Sequence, residues 1–112
     1  MLTWHKIAET SAELNPGPNG VAVVDVRDKK ICLAEYQGQW HGFAYKCPHA
    51  SGMMANGQLD AMGNIICPLH CYRFSIKNGR NTSGEGYYLK TYPVETRADG
   101  VYVGLSTGVF GW

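Results

Sequence analysis

The sequence predicts an all-β protein, and three observations support this class. Apolar and β-branched residues gather in short runs, turn-forming residues separate the runs, and no stretch has the period of a long amphipathic helix. The 14 glycines among 112 residues fit the same class, because tight turns require positive φ angles that glycine adopts readily. A chain of this length is expected to form a single domain, residues 1–112.

The first half of the chain predicts a meander of three strands. Residues 21–26, VAVVDV, and residues 31–36, ICLAEY, predict a hairpin joined by the turn RDKK. The turn QGQ leads to residues 40–47, WHGFAYKC, whose aromatic content favours a third strand. These strands belong to the first of two base segments, residues 1–45 and 87–112.

The second base segment predicts a closing hairpin. The runs YLKTYPVET and VYVGL flank Asp99-Gly100, a pair of residues typical of hairpin turns. Pro93 interrupts the first run and has no N–H to donate, so we expect it where the sheet requires no donor. We expect Phe110 and Trp112, in the tail 107–112, to pack against the sheet.

A middle block, residues 46–86, differs in amino-acid composition from both base segments. It contains two Cys-Pro stretches, CPH at 47–49 and CPLHC at 67–71, among glycine-rich loops. The run LDAMGNIIC predicts a hairpin through Gly63-Asn64 that delivers Cys67 at a strand end. We expect the block to be a smaller subdomain mounted on the β scaffold.

Charge and hydropathy exclude several classes of protein. The net charge is +1 and the basic residues are spread along the chain, whereas nucleic-acid binding requires a clustered basic face. No apolar run approaches the roughly 20 residues that cross a bilayer. The opening MLTWHKIAETSAELN also lacks the basic region and apolar block of a secretory signal. We therefore expect a cytoplasmic protein with no membrane anchor and no nucleic-acid partner.

Four side chains in the Cys-Pro stretches have the composition of a metal site. Cys47-x-His49 is followed, after 17 residues, by Cys67-x-x-His70. Two cysteines and two histidines suit tetrahedral zinc, but zinc fingers usually group ligands of one kind in each pair. Here each stretch mixes a thiolate with an imidazole. That alternation suits two metal ions, with both cysteines on one iron and both histidines on the other, as in a Rieske [2Fe–2S] centre.

Together with Tyr72-Arg73-Phe74 and the glycine-rich stretch that follows, the two motifs resemble those of a Rieske-type ferredoxin. The resemblance covers the chain from Trp4 to about Leu105. It implies an antiparallel β-sandwich or barrel base with a smaller cluster-binding β subdomain inserted at one end. It also implies one [2Fe–2S] cluster per chain, with the inner iron bound by Cys47 and Cys67 and the outer iron by His49 and His70.

The function implied by the resemblance is that of a soluble one-electron carrier, not an enzyme in itself. Its partners would be a flavin-dependent ferredoxin reductase and a terminal oxygenase. An oxygenase reaction requires a mononuclear iron held by two histidines and a carboxylate, and only His5 and His41 remain outside the cluster motifs. Two alternatives stay open, a small accessory subunit of a reductase such as nitrite reductase and a zinc-binding module.

The chain departs from the high-potential Rieske proteins of respiratory and photosynthetic complexes. Their two loops are joined by a disulfide, and the corresponding positions here are Gly52 and Leu69. The serine that donates to the cluster in those proteins corresponds to Tyr72. Both departures imply a reduction potential toward the bottom of the Rieske range, on the order of −150 mV.

Several soft or apolar residues near the motifs have simpler interpretations. Cys32 lies in a predicted strand and is interpreted as a small buried hydrophobe. Cys71 stands where the family often has glycine, and we interpret it as a bystander rather than a ligand. The side chains of Met53 and Met54 could either shield the cluster from solvent or pack inside the loop.

Overall fold

Strands dominate the structure, as the sequence predicts. The computed structural model describes residues 2–46, 53–68, 72–82 and 88–106, in which the only helices are two short 3-10 turns, Ser11–Glu13 and Met54–Asn56. The predicted tail 107–112 lies outside these residues. The strands are β1 (Leu2–Ala8), β2 (Val21–Val26), β3 (Lys29–Tyr36), β4 (Gln39–Ala44), β5 (Gln58–Leu59), β6 (Asn64–Ile66), β7 (Arg73–Ser75), β8 (Thr91–Tyr92), β9 (Val94–Arg97) and β10 (Gly100–Ser106).

The strands form three antiparallel sheets. The first sheet has the order β1-β10-β9, the second β2-β3-β4-β8 and the third β5-β6-β7. The third sheet lies between residues 58 and 75, within the middle block, whose proposed limits at 46 and 86 stay a prediction. No helix in the part of the chain that the structure describes is long and apolar enough to cross a membrane.

The hairpin turns of the second sheet are tighter than the sequence predicts. Val26 pairs with Lys29, so only Arg27 and Asp28 form the first turn, both with positive φ. Tyr36 likewise pairs with Gln39 around Gln37-Gly38. Two-residue turns with positive φ match the right-handed twist of the flanking strands, so pairing continues to the turn itself.

Pro93 marks the point where the chain passes from one sheet to another. The run predicted as one strand divides here, because β8 pairs with β4 in the second sheet and β9 pairs with β10 in the first. The carbonyl of Pro93 accepts a hydrogen bond from Gly104 N–H at 2.9 Å. Pro93 thus lies between β8 and β9, where no N–H donor is required, as predicted.

Strand β3 is buried on both faces and separates two cores. Ile31 and Leu33 face the first core, between the first and second sheets, whereas Cys32 and Ala34 face the second core, between the second and third sheets. All four side chains have no exposed surface. Because successive side chains point to opposite faces of a strand, a continuous apolar run suits this middle layer. The second core therefore joins the third sheet to the base.

Candidate metal centre

Cys67 follows β6 directly and begins the second Cys-Pro loop. Its side chain is fully buried in the second core. Its N–H donates to the carbonyl of Tyr72 at 2.8 Å, so the chain leaves and returns over four residues. Ile66 pairs with Arg73 on the neighbouring strand. Both ends of this loop are therefore held by one sheet. This agrees with the prediction that Cys67 lies at the end of a strand.

The turn before β6 is organised by the carboxylate of Asp60. Its Oδ1 accepts hydrogen bonds from the N–H groups of Met62 and Asn64, each at 2.9 Å, and its Oδ2 accepts one from Asn64 Nδ2 at 3.2 Å. Burial acts to raise the pKa of Asp60, but the hydrogen bonds from Asn64 and Met62, with the field of Arg73, lower it overall. Asn64 is already the first residue of β6, so the turn between β5 and β6 comprises residues 60–63 and not the predicted pair Gly63-Asn64.

The first Cys-Pro loop is closed at its base by backbone and side-chain contacts. Lys46 and Met53 form an antiparallel bridge, and Met54 N–H donates to the Tyr45 carbonyl at 2.6 Å. The Tyr45 hydroxyl donates to Met53 Sδ at 3.1 Å. Met54 is fully buried in the second core, whereas Met53 is 43% exposed. Met54 is thus a core filler, and Met53 lies at the surface beside the loop.

The bases of the two loops meet in the second core. Tyr45 and Met54 from the first loop pack in the same cluster as Cys67 and Tyr72 from the second. The other candidate ligands, Cys47, His49 and His70, lie outside the described residues, as do Cys71, Gly52 and Leu69. Within the described ranges, no three His, Cys, Asp or Glu side chains form a metal site.

The donor chemistry of the described part fits a thiolate-bound metal. Cys67 forms no disulfide, and its sulfur lies where the two Cys-Pro loops share one core. Soft sulfur ligands of this kind suit iron–sulfur clusters and zinc alike. The described residues therefore provide one sulfur donor and the bases of both loops, an arrangement that suits either metal.

A family model for the Rieske [2Fe–2S] domain matches residues 3–93, most of the chain. The chain belongs to the Rieske [2Fe–2S] family. A Rieske domain carries one [2Fe–2S] cluster, so the recognition of the family and of its cofactor from the sequence is confirmed. The antiparallel, nearly all-β architecture of this Rieske protein agrees with that of its structural neighbours.

Relatives of this Rieske protein include components of oxygenase systems. The ferredoxin component of the naphthalene 1,2-dioxygenase system of Pseudomonas aeruginosa is 34% identical over 91 residues, covering 80% of this chain and 86% of the relative. A solved complex of reduced oxygenase and oxidized ferredoxin in carbazole 1,9a-dioxygenase matches with a TM-score of 0.73 and 25% identity, covering 89% of this chain and 91% of the matched chain.

Another similar structure comes from a different kind of system. The putative NADH-dependent nitrite reductase small subunit of Mycobacterium tuberculosis matches with a TM-score of 0.80, covering 96% of this chain and 99% of that one. The two sequences are 18% identical, so this likeness shows the fold alone.

The remaining cysteine and histidines of the described Rieske fold are strand residues. Cys32 lies in β3, and burial raises the pKa of its thiol to about 12, so it is a protonated hydrophobe as predicted. His5 lies in β1 opposite Val103, and His41 lies in β4 opposite Ala34. Burial first and Lys77 second lower the pKa of His41.

One residue that supports the site escaped the sequence analysis. Asn19 lies in the loop before β2, and its Nδ2 donates to the carbonyls of Ala55 at 2.8 Å and Gly57 at 2.7 Å. Its own carbonyl accepts from Leu59 N–H at 3.2 Å. Asn19 thus ties the segment after the first Cys-Pro loop to the base. Its sequence context, NPGPNG, signals only a turn, because the bonded carbonyls lie 36 and 38 residues away.

Proposed function

We propose that this Rieske protein is a one-electron carrier that takes electrons from a flavin-dependent reductase and delivers them to a terminal oxygenase. The observation that carries the proposal is the alignment with the naphthalene dioxygenase ferredoxin component over 86% of that protein. When bound, the [2Fe–2S] cluster supplies the chemistry, the uptake and release of one electron. The residues of this chain hold the cluster, limit its reorganisation and present it to partners.

Cys47 and Cys67 are proposed to hold the inner iron, and His49 and His70 the outer iron. The burial of Cys67 in the second core supports this division, because the cysteine side of the centre then faces the protein interior. The hydrogen bonds from Cys67 to Tyr72 and from Met54 to Tyr45 close the two loops on packed strands. Such anchoring favours small changes of geometry when the charge of the centre changes.

The protein is proposed to have no oxygenase activity of its own. A mononuclear oxygenase iron needs two histidines and a carboxylate at one place. Once His49 and His70 are assigned to the cluster, the remaining histidines are His5 in the first sheet and His41 in the second. They lie on different strands and different sheets, so catalysis is assigned to the partner.

A cytoplasmic location is part of the proposal. Cys32, the described cysteine outside the proposed ligand set, forms no disulfide. A reduced thiol of this kind is typical of a reducing compartment.

The experiment measures cluster content and coupled electron transfer. The purified protein should contain two irons and two labile sulfides per chain, and the reduced form should give a Rieske EPR spectrum. Mixed with NADH and the reductase and oxygenase components of the naphthalene dioxygenase system, it should support substrate oxidation that stops when it is omitted. Zinc in place of iron would contradict the proposal. A protein that contains the cluster but cannot reduce the oxygenase would contradict it as well.

The accessory subunit of a reductase such as nitrite reductase stays a second candidate, because the fold is compatible with both roles. The same assay separates the two candidates. A carrier exchanges electrons with separate partners at catalytic amounts, whereas an accessory subunit is active only in a stable stoichiometric complex with the reductase.

A further inference from the structure

Three ion pairs between described residues lie away from the Cys-Pro loops. Lys6 pairs with Glu9 at 2.8 Å, Lys30 with Asp25 at 3.3 Å and Arg97 with Glu95 at 2.9 Å. These pairs belong to the first sheet, its adjoining segment and the β2–β3 hairpin. Several cations of the base are therefore neutralised by a carboxylate nearby.

The middle block has the opposite charge balance. Residues 46–86 contain four basic and two acidic side chains, a net charge of +2, whereas the remainder contains six basic and seven acidic side chains, a net charge of −1. Lys46 and Arg80 are exposed and take part in none of the ion pairs between described residues. The positive charges of these two side chains are thus presented to solvent.

Each of these two cations lies directly opposite an exposed apolar side chain. Lys46 forms an antiparallel bridge with Met53, and Arg80 forms one with Tyr88. Met53 is 43% exposed and Tyr88 is 67% exposed. Directly opposed residues in an antiparallel pair project their side chains to the same face. Each bridge therefore presents a positive charge next to an apolar surface.

The two bridges adjoin the same end of the β4–β8 strand pair. Phe43 pairs with Thr91, and the same register continues through the hydrogen bond from Ala44 N–H to the Lys90 carbonyl at 2.9 Å. Lys46 lies two residues beyond Ala44, and Tyr88 lies two residues before Lys90, so both bridges follow the same end of this strand pair. We call the four residues of the two bridges, Met53, Lys46, Tyr88 and Arg80, the basic-apolar row.

We propose that the basic-apolar row is the surface on which the terminal oxygenase docks, and that the oxygenase presents carboxylates around an apolar patch there. This proposal rests on the proposed function. The row includes the bridge that closes the loop carrying Cys47 and His49, so a partner seated on it is close to the proposed cluster. Large apolar side chains and arginine are enriched at the centres of interfaces, and complementary charge mainly accelerates association.

The test compares rates of electron transfer from the reduced, cluster-loaded protein to the oxygenase component of the naphthalene dioxygenase system. For the unchanged protein, the second-order rate constant should fall as salt rises from about 0.01 M to about 0.15 M, where the screening length shrinks from about 30 Å to about 8 Å. The double variant Lys46→Gln, Arg80→Gln should be about tenfold slower at the low salt concentration and nearly insensitive to salt. Tyr88→Ser should weaken binding without changing the salt dependence.

Lys30→Gln is the matched control, because it removes a cation that is already paired on the β2–β3 hairpin, and its rate should stay within about twofold of the parent. Iron content and midpoint potential of every variant should equal those of the parent. Equal rates for the parent and the double variant would overturn the docking surface alone. A slower reaction with the reductase but not with the oxygenase would overturn the choice of partner. No transfer by the loaded parent would overturn the proposed function and the docking surface together.

Discussion

Two buried cysteines in the same core have different chemical environments. Cys32 lies in the middle of β3, between paired strands on both sides, and burial raises the pKa of its thiol to about 12. Cys67 lies at the end of β6, where the backbone turns away from the sheet and back to Tyr72. Both side chains have no exposed surface, so burial alone does not identify a ligand. The adjoining loop with its partner histidine distinguishes Cys67.

Substitution of the two cysteines should therefore have separate effects. Cys67→Ala should abolish binding of the [2Fe–2S] cluster, because one of the four proposed ligands is lost. Cys32→Ala should retain two irons per chain and lose only about 1 kcal/mol of the free energy of unfolding, the cost of a small cavity. Iron and sulfide assays with denaturant titration measure both effects. A cluster that survives Cys67→Ala would remove this residue from the ligand set.

The lowered pKa of His41 predicts a dependence of stability on pH. The unfolded chain takes up a proton near the ordinary value of 6.5, whereas folded His41 does so only at lower pH. The contribution of His41 to stability is therefore fully present above pH 6.5 and is lost as the pH falls through that value to the folded pKa. Because His41 is only half-buried, the slope should lie well below the roughly 1.4 kcal/mol per pH unit of one whole proton.

Denaturant titrations of the parent and His41→Gln at about pH 7.5 and about pH 5.5 check this prediction within the range where histidine titrates. The parent should lose more stability than His41→Gln between the two conditions. Lys77→Gln should raise the pKa of His41, measured by NMR, because it removes the second cause of the lowering. If the free energy of unfolding depended on pH identically in the parent and in His41→Gln, His41 would not be the source of the pH dependence.

At the scale of elements, the third sheet depends on close backbone contacts with the chain that follows it. Gly79 N–H donates to the Ser75 carbonyl, and the Gly79 carbonyl accepts from Leu89 N–H, both at 2.8 Å. Gly79 has a φ of +78°, and a Cβ there would collide with the carbonyl oxygen of Leu89. The absence of a side chain at Gly79 thus lets residue 89 return to the hairpin and reach the second core.

Gly38 provides a matched control for a substitution at Gly79. Both glycines have a φ of +78°, but a Cβ at Gly38 would meet nothing within 4 Å. Gly38→Ala should cost about 1–2 kcal/mol in the free energy of unfolding, the penalty of a left-handed conformation. Gly79→Ala should cost about 1–3 kcal/mol more, since the overlap with Leu89 adds to that penalty. Equal losses in denaturant titrations would show that the close contact does not constrain the fold.

For the whole molecule, the reduction potential follows from what the two loops lack. By the resemblance, Gly52 and Leu69 stand where high-potential Rieske proteins carry their disulfide pair, and Tyr72 stands where they carry a serine donor. We predict a midpoint on the order of −150 mV, at the bottom of a family range that reaches about +300 mV. A redox titration followed by EPR measures it. A clearly positive midpoint would contradict this assignment.

The sequence by itself determined the all-β class, several of the strands and the family. These features are local, because turn pairs such as Asp99-Gly100 and the ligand spacing in the Cys-Pro stretches act within a few residues of chain. The ligand set Cys47, His49, Cys67 and His70 stays a prediction made from that spacing, with Cys67 alone described by the structure.

Only the tertiary structure decided how these local pieces are joined. Three features depend on partners that are far away in the chain. They are the passage between sheets at Pro93, the burial of both faces of β3, and the hydrogen bonds from Asn19 to residues 55 and 57. The charge of the surface is decided in the same way. The net charge of +1 does not reveal the exposed cations Lys46 and Arg80 of the middle block, because their surroundings depend on which strands pair and which carboxylates come close.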